Sequence, residues 1–199
     1  MRLTSGDQTT VLAKGDDGWK VTEPVAADAD ATEASSLVTN LSSAEINRVL
    51  EENASHLAPY VLASPRVRIG FKTDGASGEL LLGDTTPTQG DVYAMKADDK
   101  RVFLVSSFLQ TTFDKKPFDL RDKRIVRFER DKVERVQIER GEDTMAFARS
   151  GSEWTIEPPS KGRADYSAVE GLLTRLSPAG MASIADPQPA DNLAKYGLD

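Results

Sequence analysis

The chain offers few side chains that could do chemistry. Its 199 residues contain no cysteine and a single histidine, His56. These counts exclude thiolate nucleophiles, disulfide bonds and zinc sites of the usual Cys/His type, and a Ser-His-Asp triad would need His56 itself. The sequence has no Gly-x-Ser-x-Gly motif and no phosphate-binding glycine loop. We therefore interpret His56 as a surface or capping residue, and we expect no catalytic residue, metal or cofactor.

Carboxylates remain as candidates for catalysis. Asp16, Asp17, Asp28 and Asp30 lie close together, but they lack the alternating acidic pattern and the bidentate glutamate of a calcium-binding loop. Hydrolysis of a glycosidic bond needs two carboxyl groups that converge in a cleft, one of them with a raised pKa. Convergence is a property of the fold, so a carboxylate-based hydrolase of cell-envelope polymers stays open as an alternative.

Composition narrows the class of protein further. The chain has 25 Lys and Arg against 32 Asp and Glu, a formal net charge of −7, with 39% apolar and 29% charged residues. This acidic balance argues against nucleic-acid binding over the whole surface. No apolar stretch approaches the ~20 residues that cross a bilayer, and no signal peptide is recognisable. The sequence is typical of a globular protein with a real core.

An internal repeat organises the elements that must position any site. Residues in the first part of the chain recur 135 positions later, and after one inserted residue the Leu57–Leu62 segment recurs as Leu193–Leu198. Such self-similarity indicates two copies of one unit. We expect a first unit at residues 1–130, a partial second unit at 131–199, and a chain excised from a longer protein. The matched pairs include Trp19 and Trp154, Pro24 and Pro159, Asp30 and Asp165, Leu37 and Leu172, Leu41 and Leu176, and Tyr60 and Tyr196.

Within the unit, turn residues and alternation predict a three-stranded hairpin sheet, an amphipathic helix, a strand, a short helical turn and an antiparallel meander. Asp30 and Glu33 have the spacing of a capping box, and Asp165 begins the second helix. Strands outnumber helices and few crossovers suit parallel pairing, so the predicted class is α+β. The apolar helix stripes are Ala34, Leu37, Val38 and Leu41, and Val169, Leu172, Leu173 and Leu176.

The second copy lacks a meander of its own. We expect its hairpin sheet, with Trp154 at the centre, to cover most of the second stripe. Any leucine left over would form an apolar patch through which the chain self-associates.

The residues of the repeat also carry a resemblance. The Gly18–Pro24 and Ser152–Pro158 strands, the Ala-Asp helix starts and the Leu57–Leu62 and Leu193–Asp199 segments resemble the bacterial domain-of-unknown-function family 4340. The Phe118–Lys123 segment resembles the stretch that this family has between its copies. One departure is Val61, which follows Tyr60 where the family pattern has glycine, so we expect the caps of the two short helical turns to differ.

The resemblance implies a cellular location and a class of partner, but no reaction. Members of this family usually have an N-terminal membrane helix and an extracytoplasmic region, and they are often encoded beside gliding-motility-type ABC transporter components. It therefore implies a native protein anchored in the bacterial inner membrane, with this part facing the periplasm or cell exterior. Protein partners of the ABC-transporter type would follow, with no nucleic acid and no cofactor.

Several other residues could have either a structural role or a binding role. Trp19 and Trp154 suit ligand stacking, but packing against the helix of their own unit is favoured. Asp30 and Asp165 suit metal binding, but helix capping is favoured. Residues 115–135 hold nine basic and five acidic residues, an exposed connector whose charges interleave. The residues of this segment that could contact an acidic partner are Lys115, Lys116, Arg121, Lys123, Arg124 and Arg127.

The function that these observations favour is a non-enzymatic accessory or scaffold module that acts through its surfaces, including free strand edges. Besides the hydrolase, a glycan-binding or peptide-binding module remains an alternative, and a solvent-exposed Trp19 or Trp154 would indicate it.

Overall fold

The computed structural model describes residues 1–184 and 193–198. The chain forms two compact units, Met1–Asp122 and Lys123–Asp199. The repeat in the sequence places the division near residue 130. Antiparallel sheets dominate both units and three α-helices accompany them in the described residues, so the predicted α+β class is confirmed.

Unit 1 is built on one nine-stranded sheet in the order β4-β3-β2-β1-β6-β7-β8-β9-β5. Strands β1 to β4 form one part of this sheet. The predicted meander, β6 to β9, forms the other part, with β5 at its far end. Antiparallel pairing of β1 with β6 joins the two parts, with Leu3 opposite Ile69. The strands are β1 Arg2–Ser5, β2 Gln8–Gly15, β3 Gly18–Glu23, β4 Ala27–Asp28, β5 Arg48–Glu51, β6 Val67–Lys72, β7 Ser77–Thr85, β8 Asp91–Lys96 and β9 Val102–Ser106.

Two helices, α1 Ala31–Ser42 and α2 Ser107–Phe113, cover one face of this sheet. Asp30 caps α1, because its Oδ1 accepts the backbone N–H groups of Thr32 at 2.9 Å and Glu33 at 3.1 Å. The predicted capping box forms only in half. The Asp30 N–H donates to the Leu120 carbonyl at 2.9 Å, and the Glu33 carboxylate pairs with Lys115 instead.

The other face of the meander carries a second apolar cluster. Alternate residues of a strand point to opposite faces, so Leu82 joins the main core while Leu81 joins this cluster. Coverage on both sides explains why β7 and β9 contain unbroken apolar runs rather than alternation. The 3₁₀ turn Ala58–Tyr60 lies over this cluster, and its close approach is possible because Gly83 has no side chain.

Unit 2 has a four-stranded antiparallel sheet in the order β10-β11-β12-β13, followed by one helix. Its core contains Phe147, Trp154, Ala164, Val169 and Leu173. The hairpin sheet covers Val169 and Leu173 and leaves Leu172 and Leu176 exposed, so it covers half of the second stripe rather than the expected larger share. The elements are β10 Arg135–Arg140, β11 Asp143–Ser150, β12 Glu153–Ile156, β13 Gly162–Arg163 and α3 Tyr166–Leu176.

The two 3₁₀ turns end in the same way. Val61 has φ 56° and ψ 29°, and Gly197 after the turn Ala194–Tyr196 has φ 68° and ψ 34°. The expectation that the caps differ is therefore wrong. Valine adopts the left-handed conformation because the Leu62 N–H closes the turn onto the Leu57 carbonyl at 3.1 Å.

Gly83→Ala tests the seating of this turn. A Cβ at residue 83 would lie 1.9 Å from the Tyr60 carbonyl oxygen, a backbone atom that cannot move alone. We expect the substitution to lower the free energy of unfolding by about 2–4 kcal/mol in chemical denaturation. Gly75→Ala is the control, because a Cβ there meets nothing within 4 Å. Equal effects of the two substitutions would contradict the packing described.

Val61→Gly tests the left-handed residue. Left-handed backbone costs a branched residue about 1–2 kcal/mol, and relief of that strain offsets the entropy and contacts that glycine loses. We expect the free energy of unfolding to change by less than about 1 kcal/mol. Val49→Gly in β5 removes the same side chain from extended backbone, where no strain is relieved, and should destabilise the protein more. A loss at residue 61 as large as that at residue 49 would refute this account.

Candidate interaction surfaces

The two tryptophans of the repeat differ in exposure. Trp19 is half-buried against the core of unit 1, with the Lys14 Nζ 5.9 Å from its ring centre. Trp154 is 1% exposed and packs against Val169 and Leu173 of α3. Burial leaves the Trp154 ring unable to stack on a ligand, in line with the core role that the sequence favours.

The side chains of Trp154, Glu170 and Arg149 form a polar triad. The Trp154 Nε1–H donates to Glu170 Oε1 at 3.0 Å, and the same oxygen accepts from Arg149. The Arg149 guanidinium also lies 4.8 Å from the Trp154 ring centre, within cation–π range. Glu170 therefore satisfies the buried indole and the guanidinium together. Sequence analysis missed Glu170, because the residue 135 positions earlier is Ser35 and the pattern of identities skips it.

The other residues that the sequence singled out lie at a helix cap, in turns and on the surface. Asp165 caps α3 by accepting the Ala168 N–H at 2.9 Å, so both helix-start aspartates are N-caps. Pro24 and Pro159 lie in exposed turns that follow β3 and β12, and each follows a cis peptide bond. Tyr196 is exposed, with the Lys195 Nζ 4.7 Å from its ring centre.

Tyr60 links the 3₁₀ turn to β5. Its hydroxyl donates to the Glu51 carboxylate, and its ring lies 5.0 Å from that of Tyr93. The hydrogen bond to Glu51 raises the pKa of Tyr60, because ionisation would remove the donated proton. This contact is complete below the ordinary tyrosine pKa and is lost as the pH rises through the raised pKa.

The basic segment is divided between the units. In unit 1, Lys115 pairs with Glu33 at 3.3 Å, and Arg121 is half-buried beside Ala29. In unit 2, Lys123, Arg124 and Arg127 each interact with another group. Lys116 is exposed. The pairing of Lys115 with Glu33 agrees with an interleaved connector, and a role for the basic segment in partner contact stays a prediction.

Asp84 and Asp99 have lowered pKa values, whereas a carboxyl group that acts as a general acid needs a raised one. The Thr85 N–H and then Arg66 lower the pKa of Asp84, and the Arg101 N–H lowers that of Asp99. Asp84, near the end of β7, and Asp99, after β8, are both held ionised, and the stability that they add is present above the ordinary aspartate pKa and is lost as the pH falls through the lowered pKa. Across residues 1–184 and 193–198, no three His, Asp or Glu side chains converge in a way that would hold a metal ion. His56 is exposed.

The exposed apolar side chains of unit 2 include two neighbouring pairs. Leu172 and Leu176 are 41% and 45% exposed on α3, and Ile138 and Met145 are 41% and 53% exposed as neighbours across β10 and β11. The outer edge of β10 pairs with no strand in the described part of the chain. The sequence predicted the leucine patch. It did not predict which strand edge is free, because the residue types of β10 do not show which of its sides is paired.

Glu170→Ala tests the triad around Trp154. The change leaves the indole N–H and the Arg149 guanidinium, whose Nε already lacks a partner, without their acceptor. We expect the free energy of unfolding to fall by about 2 kcal/mol, and Glu170→Gln to recover part of it because the amide oxygen still accepts. Glu153→Ala removes an exposed pair with Arg163 and should change it by less than about 0.5 kcal/mol. Equal effects at residues 153 and 170 would show that the triad is not a buried unit.

None of the helices in the described residues is long and apolar enough to cross a bilayer. No curated protein and no solved structure matches the chain. A family model does match, over residues 19–199, which covers unit 2 and unit 1 from Trp19 onward. The chain therefore belongs to the family described as Domain of unknown function (DUF4340).

Proposed function

We propose that the chain is a non-enzymatic accessory or scaffold module, the extracytoplasmic part of a protein anchored in the bacterial inner membrane. Its partners are proteins, chiefly membrane components of an ABC-type transporter assembly. Recognition proceeds through exposed apolar surface of unit 2 rather than through a reaction. The family resemblance supports the membrane setting of this proposal, and the exposed surface of α3 supports the contact.

The observation that carries this proposal is the face that α3 leaves uncovered. Leu172 and Leu176 lie one helical turn apart and are both nearly half exposed. Their counterparts on α1 are Leu37, which is buried, and Leu41, which is partly buried in the core that α2 also joins. A soluble protein rarely leaves leucines of an amphipathic stripe in water without a partner. A partner helix that takes the role of α2 would bury them.

We also propose that the two units are tandem copies of one design. Each has three antiparallel strands, a two-residue strand, a helix capped by aspartate and a 3₁₀ turn ending in a left-handed residue. The strand registers agree at the same offset of 135. Lys14 lies opposite Trp19 as Arg149 lies opposite Trp154, and Leu3 lies opposite Thr10 as Ile138 lies opposite Met145. Independent folds would have no reason to share these pairings.

Site-specific photo-crosslinking in the complete gene product in its native cell tests the function. A crosslinking residue at Leu172 should capture a membrane component of an ABC-type transporter, identified by mass spectrometry. Val38 is the matched control, because it is equally exposed on α1 but the leucines beside it, Leu37 and Leu41, are buried or partly buried. Capture of the transporter from residue 38 but not from residue 172, or recovery of the protein outside the membrane fraction, would contradict the proposal.

A further inference from the structure

The outer side of β10 is the longest unpaired strand edge in the described residues. The strands that end the two sheets are β4 and β13 with two residues each, β5 with four and β10 with six. The β5 ladder has an irregularity at Val49, whereas the β10–β11 register runs without interruption. Proteins usually blunt an exposed edge by shortness, a bulge, proline or charged side chains, and of these β10 has only the charges Arg135, Glu139 and Arg140.

The backbone of β10 determines which groups face this edge. The Arg149 N–H donates to the Glu134 carbonyl at 2.8 Å, so residue 134 points its backbone groups toward β11. Hydrogen-bonding direction alternates along an antiparallel strand. The N–H and C=O groups of Arg135, Gln137 and Glu139 therefore point outward and are free to pair with an added strand.

The charges along β10 fit an antiparallel copy of itself in one register. A two-fold axis at Gln137 sets Arg135 opposite Glu139 of the second copy, and the same pair forms again by symmetry. It also sets Glu134 opposite Arg140. An axis at Glu139 would set two glutamates face to face, and an axis at Val136 would set Ile138 opposite Glu134. Opposite charges across a strand pair stabilise it, and like charges destabilise it.

Apolar side chains fit the same register. Val136 lies opposite Ile138 of the second copy, on the sheet face that packs against α3. The pairing would reduce the exposure of Ile138, which is 41% in the isolated chain. Arg135 already bonds Glu157 through Nε at 2.7 Å, and its terminal N–H groups remain as donors for a second carboxylate. In unit 1 the first hairpin strand, β1, does accept a further antiparallel strand, β6.

We propose that two copies of this chain associate by antiparallel pairing of their β10 strands about a two-fold axis at Gln137, forming one eight-stranded sheet. This self-association is separate from the transporter contact assigned to α3. The interface is small, so the expected dissociation constant lies in the weak, transient class, on the order of 10⁻⁵–10⁻⁴ M.

Sedimentation equilibrium over micromolar to millimolar concentration measures the association. Glu139→Arg places arginine opposite Arg135 twice, and we expect at least a tenfold rise in the dissociation constant. Adding Arg135→Glu restores opposite charges and should return the constant to within about threefold of the parent. Gln137→Pro removes an outward N–H, together with the hydrogen bond that the Gln137 side-chain amide donates to Glu139, and should abolish the dimer. Glu45→Arg, an exposed charge reversal in unit 1, is the control and should change nothing.

The absence of cysteine permits a second measurement. Gln137→Cys supplies the only thiol, at the axis, where the Cα atoms of a hydrogen-bonded pair lie ~5.5 Å apart, within disulfide range. Mild oxidation should give a covalent dimer, and Glu45→Cys should not. A parent that stays monomeric at millimolar concentration overturns the proposal, and so does a dimer unaffected by Gln137→Pro and Glu139→Arg. Failure of the double charge variant to recover association overturns the register at Gln137.

Discussion

The pairing of β1 with β6 is the contact on which unit 1 depends. Apart from β5, which pairs with β9, the strands that lie side by side within each half of the sheet also follow one another in sequence. Leu3 and Ile69 lie opposite each other at the seam, and both belong to the main core. Without this pairing, two small sheets would each expose an edge and an apolar face. With it, α1 and α2 lie over one continuous surface and bury a single core.

The second constraint is that the meander is covered on both faces. Its far face is closed by the segment that carries β5 and the 3₁₀ turn, and β5 returns to pair with β9 at the end of the sheet. Gly83 permits the Tyr60 carbonyl to approach the sheet, and the Tyr60 hydroxyl binds Glu51 of β5. The Leu57–Leu62 segment therefore has a structural role, because it covers the second apolar cluster of unit 1.

Local elements could be predicted closely from the sequence, because their signals are local. The helix start at Asp30 and the antiparallel meander follow from capping residues, turn residues and periodicity. Long-range relations had no such signal. The pairing of β5 with β9, the bond of the Asp30 N–H to Leu120 and the pairing of Glu33 with Lys115 join residues far apart in sequence. The same holds for the candidate surfaces, since exposure of Leu172 depends on what else packs on α3.

The helix stripes show most clearly how similar sequences reach different packing. On α1, Leu37 is buried and Val38 is exposed, whereas on α3, Leu172 is exposed and its neighbour Leu173 is buried. One residue along a helix is 100°, so the two helices present adjacent faces to their sheets. In unit 1, α2 contacts α1 and draws Leu37 inward. In unit 2, α3 packs on β12, where Trp154 occupies the centre and favours Leu173. The stripe is wide enough to serve either face, and the neighbouring elements decide which leucines remain available to another protein.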